Sequence, residues 1–241
     1  MLPPPRAGSK VGLRAVRGGM DGEIRLETHT SLAQADHSFS GVVFDVQGSS
    51  SSELQLRSLW LAGQLGTISV FATQGGWREA ERGGQLLARC GWGNANDVID
   101  PRRWQLVARQ VFKASWDKKV EVRFQEPVRV VPGATVGLYA HSDAVGDGGI
   151  IYQSCGRYRE LAASEHLRLL PGLGHTSPTP FDTSAGWWAA SLQRLRGPVG
   201  AISYSARPWH WALDDAADPA MLPSMRSAVR AVFLSHARLG E

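Results

Sequence analysis

Apolar and polar residues alternate with a period of two through much of this chain, the signature of half-buried β-strands. The clearest case is Lys119–Gln125, where Val120, Val122 and Phe124 face one way and Lys119, Glu121, Arg123 and Gln125 the other. Pro127 ends that strand or opens the next, because proline cannot donate to a ladder. Val128–Val131, a Pro132-Gly133 turn and Thr135–His141 complete a meander; proline presets φ and glycine tolerates positive φ. Upstream, Gly41–Val46 is a short β-rich run and the serines at 49–52 form a turn. Leu54, Leu56 and Trp60 alternate with Gln55 and Arg57, and Gly66–Ala72 follows a hairpin connection at Gly63 and Gly66. Trp104–Phe112, Gly149–Gln153, His166–Leu170 and Val199–Tyr204 are further strand candidates.

Short strands separated by Gly/Pro turns predict an all-β architecture, an antiparallel, jelly-roll-like β-sandwich over residues 38–205. Residues 1–37 lack sustained periodicity and read as a flexible basic tail. The long polar stretch over 73–101 reads as an elaborated loop, and loops of that length inside a domain are often functional. After a linker at 206–221, residues 222–239 predict one C-terminal amphipathic helix. Leu222, Met225, Val229, Val232, Phe233 and His236 recur at three- and four-residue spacing, while Arg226, Arg230 and Arg238 fall off that stripe. Met225, Val229, Val232 and Phe233 form its partner face, docking on the chain's own sandwich or on another protein.

Composition narrows the function classes. At 43% hydrophobic and 20% charged the chain is able to bury a core. Its apolar runs fall far short of the roughly 20 residues a spanning helix needs, so no membrane span is expected. The net charge of +4 resides in residues 1–20, which hold Arg6, Lys10, Arg14 and Arg17 and no acid. Removing those four from the 26 Lys and Arg leaves 22, equal to the 22 Asp and Glu. A body without net basic excess argues against nucleic acid as a partner, and the local group of Arg102, Arg103, Arg109, Lys113, Lys118 and Lys119 reads as a solvated face. Cys90 and Cys155 are too few for a disulfide framework. Without a signal-like apolar start or an Asn-x-Ser/Thr sequon, the expectation is an intracellular protein, cytosolic or nuclear, with an organelle as the alternative.

The candidate chemistry is sparse, and no catalytic residue, metal or cofactor is expected. Seven histidines are scattered without a zinc spacing, and neither a nucleophile elbow nor a phosphate-binding loop occurs. His141, His166 and His175 could converge in space, but satisfied surface or turn roles are the plainer reading. Asn94, Asn96, Asp97 and Asp100, and separately Asp143 and Asp147, offer hard oxygens for calcium, yet these residues are also what turns use. The informative residues are nine tryptophans against four tyrosines. Trp60 and Trp104 lie on strand patterns and read as core; Trp77, Trp92, Trp116, Trp187, Trp188, Trp209 and Trp211 lie in loop-like stretches. An indole in a loop anchors an interface or stacks on a sugar, burying about 150–250 Å2; otherwise it caps the ends of the sandwich. Trp77, Trp92, Trp187, Trp188, Trp209 and Trp211 are therefore the candidate binding residues. A non-catalytic protein-interaction or scaffold module with a protein partner, such as a subunit of a larger assembly, is the leading expectation; a carbohydrate-binding module with a glycan ligand is the alternative.

Several segments carry a resemblance. Gly41-Val-Val-Phe-Asp-Val46, Gly66-Thr-Ile-Ser-Val-Phe71 with Gly75-Gly-Trp77, and Phe124-Gln-Glu-Pro-Val-Arg-Val-Val-Pro-Gly133 occur in order. They are followed by His141-Ser142, Leu167-Arg-Leu-Leu-Pro-Gly-Leu-Gly174, Pro180-Phe181 and Arg196-Gly-Pro-Val-Gly-Ala-Ile-Ser-Tyr204. Together they resemble an uncharacterised β-sandwich domain common in algal and other protist proteins, over about residues 38–205. Leu222-Pro-Ser-Met-Arg226 and Val229-Arg-Ala-Val-Phe-Leu234 resemble the helix that often trails it. That resemblance implies the fold and carries no known activity. Phe124–Tyr139 is also similar to the central hairpin of the PHR domain, without a BTB or RING companion, and this second likeness would imply recognition of a partner protein.

Overall fold

The computed structural model describes residues 16–17, 22–28, 32, 37–77, 100–145, 148–155, 160–182 and 192–208. The chain divides after Ala206, and the described residues beyond it are Arg207 and Pro208. The predicted helix at 222–239 lies outside the described residues. Among the described residues fourteen strands appear, making up most of the structure, and they pair antiparallel. They are β1 (Val16–Arg17), β2 (Ile24–Glu27), β3 (His37–Phe39), β4 (Gly41–Gly48), β5 (Ser52–Gln64), β6 (Gly66–Gln74) and β7 (Gln105–Phe112). There follow β8 (Ser115–Val130), β9 (Thr135–Ser142), β10 (Gly149–Ser154), β11 (Ala162–Ala163), β12 (Leu167–His175), β13 (Leu192–Pro198) and β14 (Ala201–Pro208). They join in the order β1-β2-β14-β5-β10-β13-β12-β4-β9-β6-β7, with β8 on β5, β3 on β10 and β11 on β12.

The alternation read from the sequence places the core. Val42, Phe44 and Val46 of β4, Val70 of β6 and Leu138 of β9 share one buried cluster with Leu54 and Leu61 of β5, Val122 and Phe124 of β8, and Tyr204 of β14. The odd positions of β4, β6 and β9 point the other way. Val43, Phe71 and Tyr139 meet Trp77, Trp104, Leu173 and Leu192 in a second cluster. A strand covered on both faces buries nearly every side chain, which is why β4 shows no polar face.

Trp77 reaches that face because of a glycine. A Cβ on Gly137 would lie 2.6 Å from the Trp77 nitrogen, so only glycine lets the chain cross the sheet there. Asp45, buried in β4, accepts the Trp77 amide at 2.8 Å.

Three sequence expectations are altered. Trp60 was placed with Leu54 and Leu56 on one face, but the β5–β8 register shifts between Leu56 and Ser58, so Leu59 and Leu61 take the core. Trp60 is left half-buried, with the Arg25 guanidinium 3.9 Å over its ring and its Nε1 donating to Ser203 Oγ at 3.0 Å. Within the stretch read as a flexible tail, Ile24–Glu27 forms β2 on β14, with Leu26 in the main core. Thr28 fastens that strand by donating its hydroxyl to the Pro198 carbonyl at 2.8 Å and accepting the Gly200 amide at 2.8 Å. Finally, Leu192–Pro198 is a strand that the sequence did not announce.

Candidate functional site

Histidine and tyrosine meet on the second face. β9 carries Tyr139 and His141, and β12 ends on His175, whose ring centroid lies 5.8 Å from that of His141. His166 is not part of this group; it packs edge-on against Tyr204. The segment after β12 covers the two rings. His141 Nε2 donates to the Ser177 carbonyl at 3.0 Å, and His175 Nε2 donates to the Asp182 carbonyl at 2.8 Å. Since Nε2 of His175 carries the hydrogen, its Nδ1 accepts from the Tyr139 hydroxyl at 2.6 Å. Phe181 completes the cover with φ at 62°, a left-handed conformation that a non-glycine side chain rarely adopts, and its ring sits 5.1 Å from that of Tyr139.

Burial sets the electrostatics of this group. It lowers His141 to about 4 and also lowers His175, while the phenol of Tyr139 rises well above its ordinary value for the same reason. Both imidazoles are neutral near pH 7, and each spends its Nε2 hydrogen on a main-chain carbonyl. The arrangement clamps residues 176–182 onto the sheet; it presents no accessible base. Of the residues weighed for calcium, Asn94, Asn96, Asp97 and Asp147 lie outside the described residues, and Asp100 and Asp143 accept hydrogen bonds from the chain itself. Asp100 accepts from the Arg102 amide at 3.1 Å, and Asp143 accepts the Thr67 amide at 2.7 Å; hydrogen bonding from the Thr67 side chain, with that amide, holds the Asp143 carboxyl below the usual range. Among the described residues, no group of three or more His, Cys, Asp or Glu is placed to hold a metal. Cys155 is half-buried, its thiol 3.7 Å from the Gln153 carbonyl.

The tryptophans divide. Trp77 is 5% exposed and packs on Val43 and Tyr139, so its ring serves the chain's own interior and offers no platform to a sugar. Trp104 joins it there. Trp92, Trp187, Trp188, Trp209 and Trp211, and the helix face of Met225, Val229, Val232 and Phe233, lie outside the described residues. Among the described residues, Trp116 is the exposed indole, at 50%. It sits where residues 116–119 of β8 oppose Ala62 alone on β5, a bulge closed by Ser115 Oγ donating to the Lys118 carbonyl at 2.7 Å.

A cleft of about 400 Å3 opens beside a second bulge. β7 and β8 follow one another in the chain but diverge: β7 runs along β6, whereas β8 runs along β5. The β5–β8 register passes from Ser58 opposite Arg123 to Leu56 opposite Val128, leaving residues 124–127 of β8 to face Arg57 alone. Two glutamines cross the gap on either side. Gln110 Nε2 donates to the Arg123 carbonyl at 3.0 Å and Gln74 Nε2 to the Arg129 carbonyl at 3.4 Å. Between them Ala72, Val107 and Val128, all members of the main core, form an apolar floor, and Arg103, Gln105, Glu126 and Pro127 stand at the rim. On that rim Arg129 is held in a two-pronged pair with Glu53, at 2.8 and 2.9 Å. Glu126 makes no ion pair among the described residues.

Sequence reasoning passed over this cleft. Its one local signal is Glu126-Pro127 interrupting a strong alternation, since a proline inside a strand implies a bulge or an edge. No protein-family model matches the chain, and no curated protein matches it.

Proposed function

We propose that this chain is a non-catalytic protein-interaction or scaffold module, built on a jelly-roll-like β-sandwich and working as a subunit of a larger intracellular assembly. The cleft between β7 and β8 carries the reading. Its apolar floor reaches the main core, its walls are strand edges, and no histidine or cysteine lines it. Apolar floors with polar rims are the usual form of binding sites. The sandwich part of the reading is supported by the main core, which unites side chains of β4, β6 and β9 with those of β5, β8 and β14. The likeness to the protist domain, with its trailing helix, agrees with the same architecture. Exposed Trp116 on β8 and Val111 on β7 add apolar surface of the kind found at partner contacts.

The test is the size of the native particle. Fractionated under native conditions, the 26.1 kDa chain is expected to elute in a complex of defined composition. Deletion of residues 221–241 is expected to weaken that complex while leaving the sheet folded. Elution as a free monomer, or turnover of a substrate by the purified chain, would defeat the proposal.

A further inference from the structure

We infer that the cleft between β7 and β8 receives an extended segment of a partner protein, with an apolar side chain on the floor and a basic one beside Glu126. The inference rests on the protein-interaction reading and specifies how the partner is held.

The geometry of the two walls argues for a strand. β7 takes its ladder from β6, and no ladder pairing joins it to β8 among the described residues. On the other wall, residues 124–127 have left the β5 ladder. Main-chain carbonyls at a strand edge are obligatory acceptors, and Arg123 and Arg129 show how this fold answers them: each accepts from a glutamine amide that stands in for a neighbouring strand. The residues between have no such glutamine. An added strand supplies main-chain donors and acceptors along its whole length, so it fits a gap bounded by edges better than a compact ligand does. Pro127 has no amide hydrogen, which biases this wall toward acceptance and prevents an uninterrupted ladder. Recognition here is therefore short and depends on side chains.

Two side-chain features state the partner's chemistry. The floor of Ala72, Val107 and Val128 takes an aliphatic group of modest size. At the rim the Arg129 charge is already answered by Glu53 and Arg103 has an interaction of its own, while the Glu126 carboxylate is exposed and lacks an ion pair among the described residues. A lysine or arginine next to the floor-seeking residue meets it.

A displayed library of short random peptides, selected on the full chain, tests this directly, with the recovered peptides then titrated by fluorescence anisotropy. The expected peptides alternate apolar and polar residues and carry Lys or Arg next to an aliphatic residue. Gln105→Trp, which fills the cleft from an exposed rim position, is expected to weaken them by about tenfold or more. Glu126→Gln is expected to weaken the basic peptides by about threefold, the size of an exposed ion pair, and Glu126→Arg to weaken them further. Circular dichroism of each variant checks the fold, and because Glu126 is exposed, its variants keep the test decisive if Gln105→Trp misfolds. Failure to recover any peptide above background, or recovery of peptides indifferent to both positions, overturns the inference. So does concentration-dependent self-association lost in Gln105→Trp, which would assign the cleft to a second copy. In each of these cases the native-particle experiment still decides the broader reading on its own.

Discussion

The Tyr139 hydroxyl lies 2.6 Å from Nδ1 of His175, and because the opposite nitrogen gives its hydrogen to a main-chain carbonyl, the phenol is the donor in this contact. The carbonyl of Asp182 accepts from the opposite nitrogen at 2.8 Å, so the three groups form one directed chain from β9 through β12 to the covering segment. Replacing Tyr139 by Phe leaves Nδ1 buried without a donor. A loss of about 1–3 kcal/mol is expected, read as a lower urea midpoint with an unchanged slope. An unaltered midpoint would show that the segment is held by packing alone.

His141 gives the pH dependence. Burial lowers it to about 4, whereas in the unfolded chain it takes its proton near 6.5. Between those values the unfolded state binds more protons, so stability falls as pH falls. From His141 the loss reaches roughly 3 kcal/mol by about pH 4, and His175, also lowered by burial, adds in the same direction. Thermal melts across this range are expected to show a steady decline that is shallower in His141→Gln. A flat profile would contradict the burial of both rings.

Gly137 is predicted to be intolerant of even one methyl group. A Cβ there meets the Trp77 nitrogen at 2.6 Å and the Thr73 methyl at 2.8 Å, so the crossing chain must shift and the Asp45–Trp77 bond with it. Gly137→Ala is expected to cost about 1–3 kcal/mol in chemical denaturation. The same substitution at Gly133, where nothing lies within 4 Å but φ is +74°, tests backbone strain by itself.

Arg25 covers the Trp60 ring at 3.9 Å. Arg25→Ala is expected to cost about 1 kcal/mol and to speed hydrogen exchange at Ile24–Glu27 more than in β8. Uniform change across both strands would place the effect elsewhere.

Much of the sheet was legible because its strands keep one apolar face. Val120, Val122 and Phe124 fall into phase as their spacing indicates, and the Thr135–His141 expectation differs from β9 by one residue. Legibility failed where long-range pairing supplies the order. β2 is a four-residue alternation inside a charged, glycine-containing stretch, and its partners on β14 lie far along the chain. Trp60 leaves the expected face because a bulge reverses side-chain phase, and the one sequence mark of that bulge, Pro127, lies on the partner strand. The cleft was hidden for a related reason: it arises from the divergence of two neighbouring strands, and a sequence shows the strands but not the angle between them. Trp77 looked like a loop residue because its cover, the face of Tyr139 and Val43, comes from other strands.

The bond from Thr28 to Gly200 spans 172 residues. On the ribosome the first of these emerges long before the second, so Ile24–Glu27 must wait for its β14 partners, and Leu26 for its place in the core. Closure of β2 on β14 therefore waits for the synthesis of residues 200–204. Nascent chains halted before residue 201 should leave those first amides open to exchange while the β4–β9–β6 ladder is already protected.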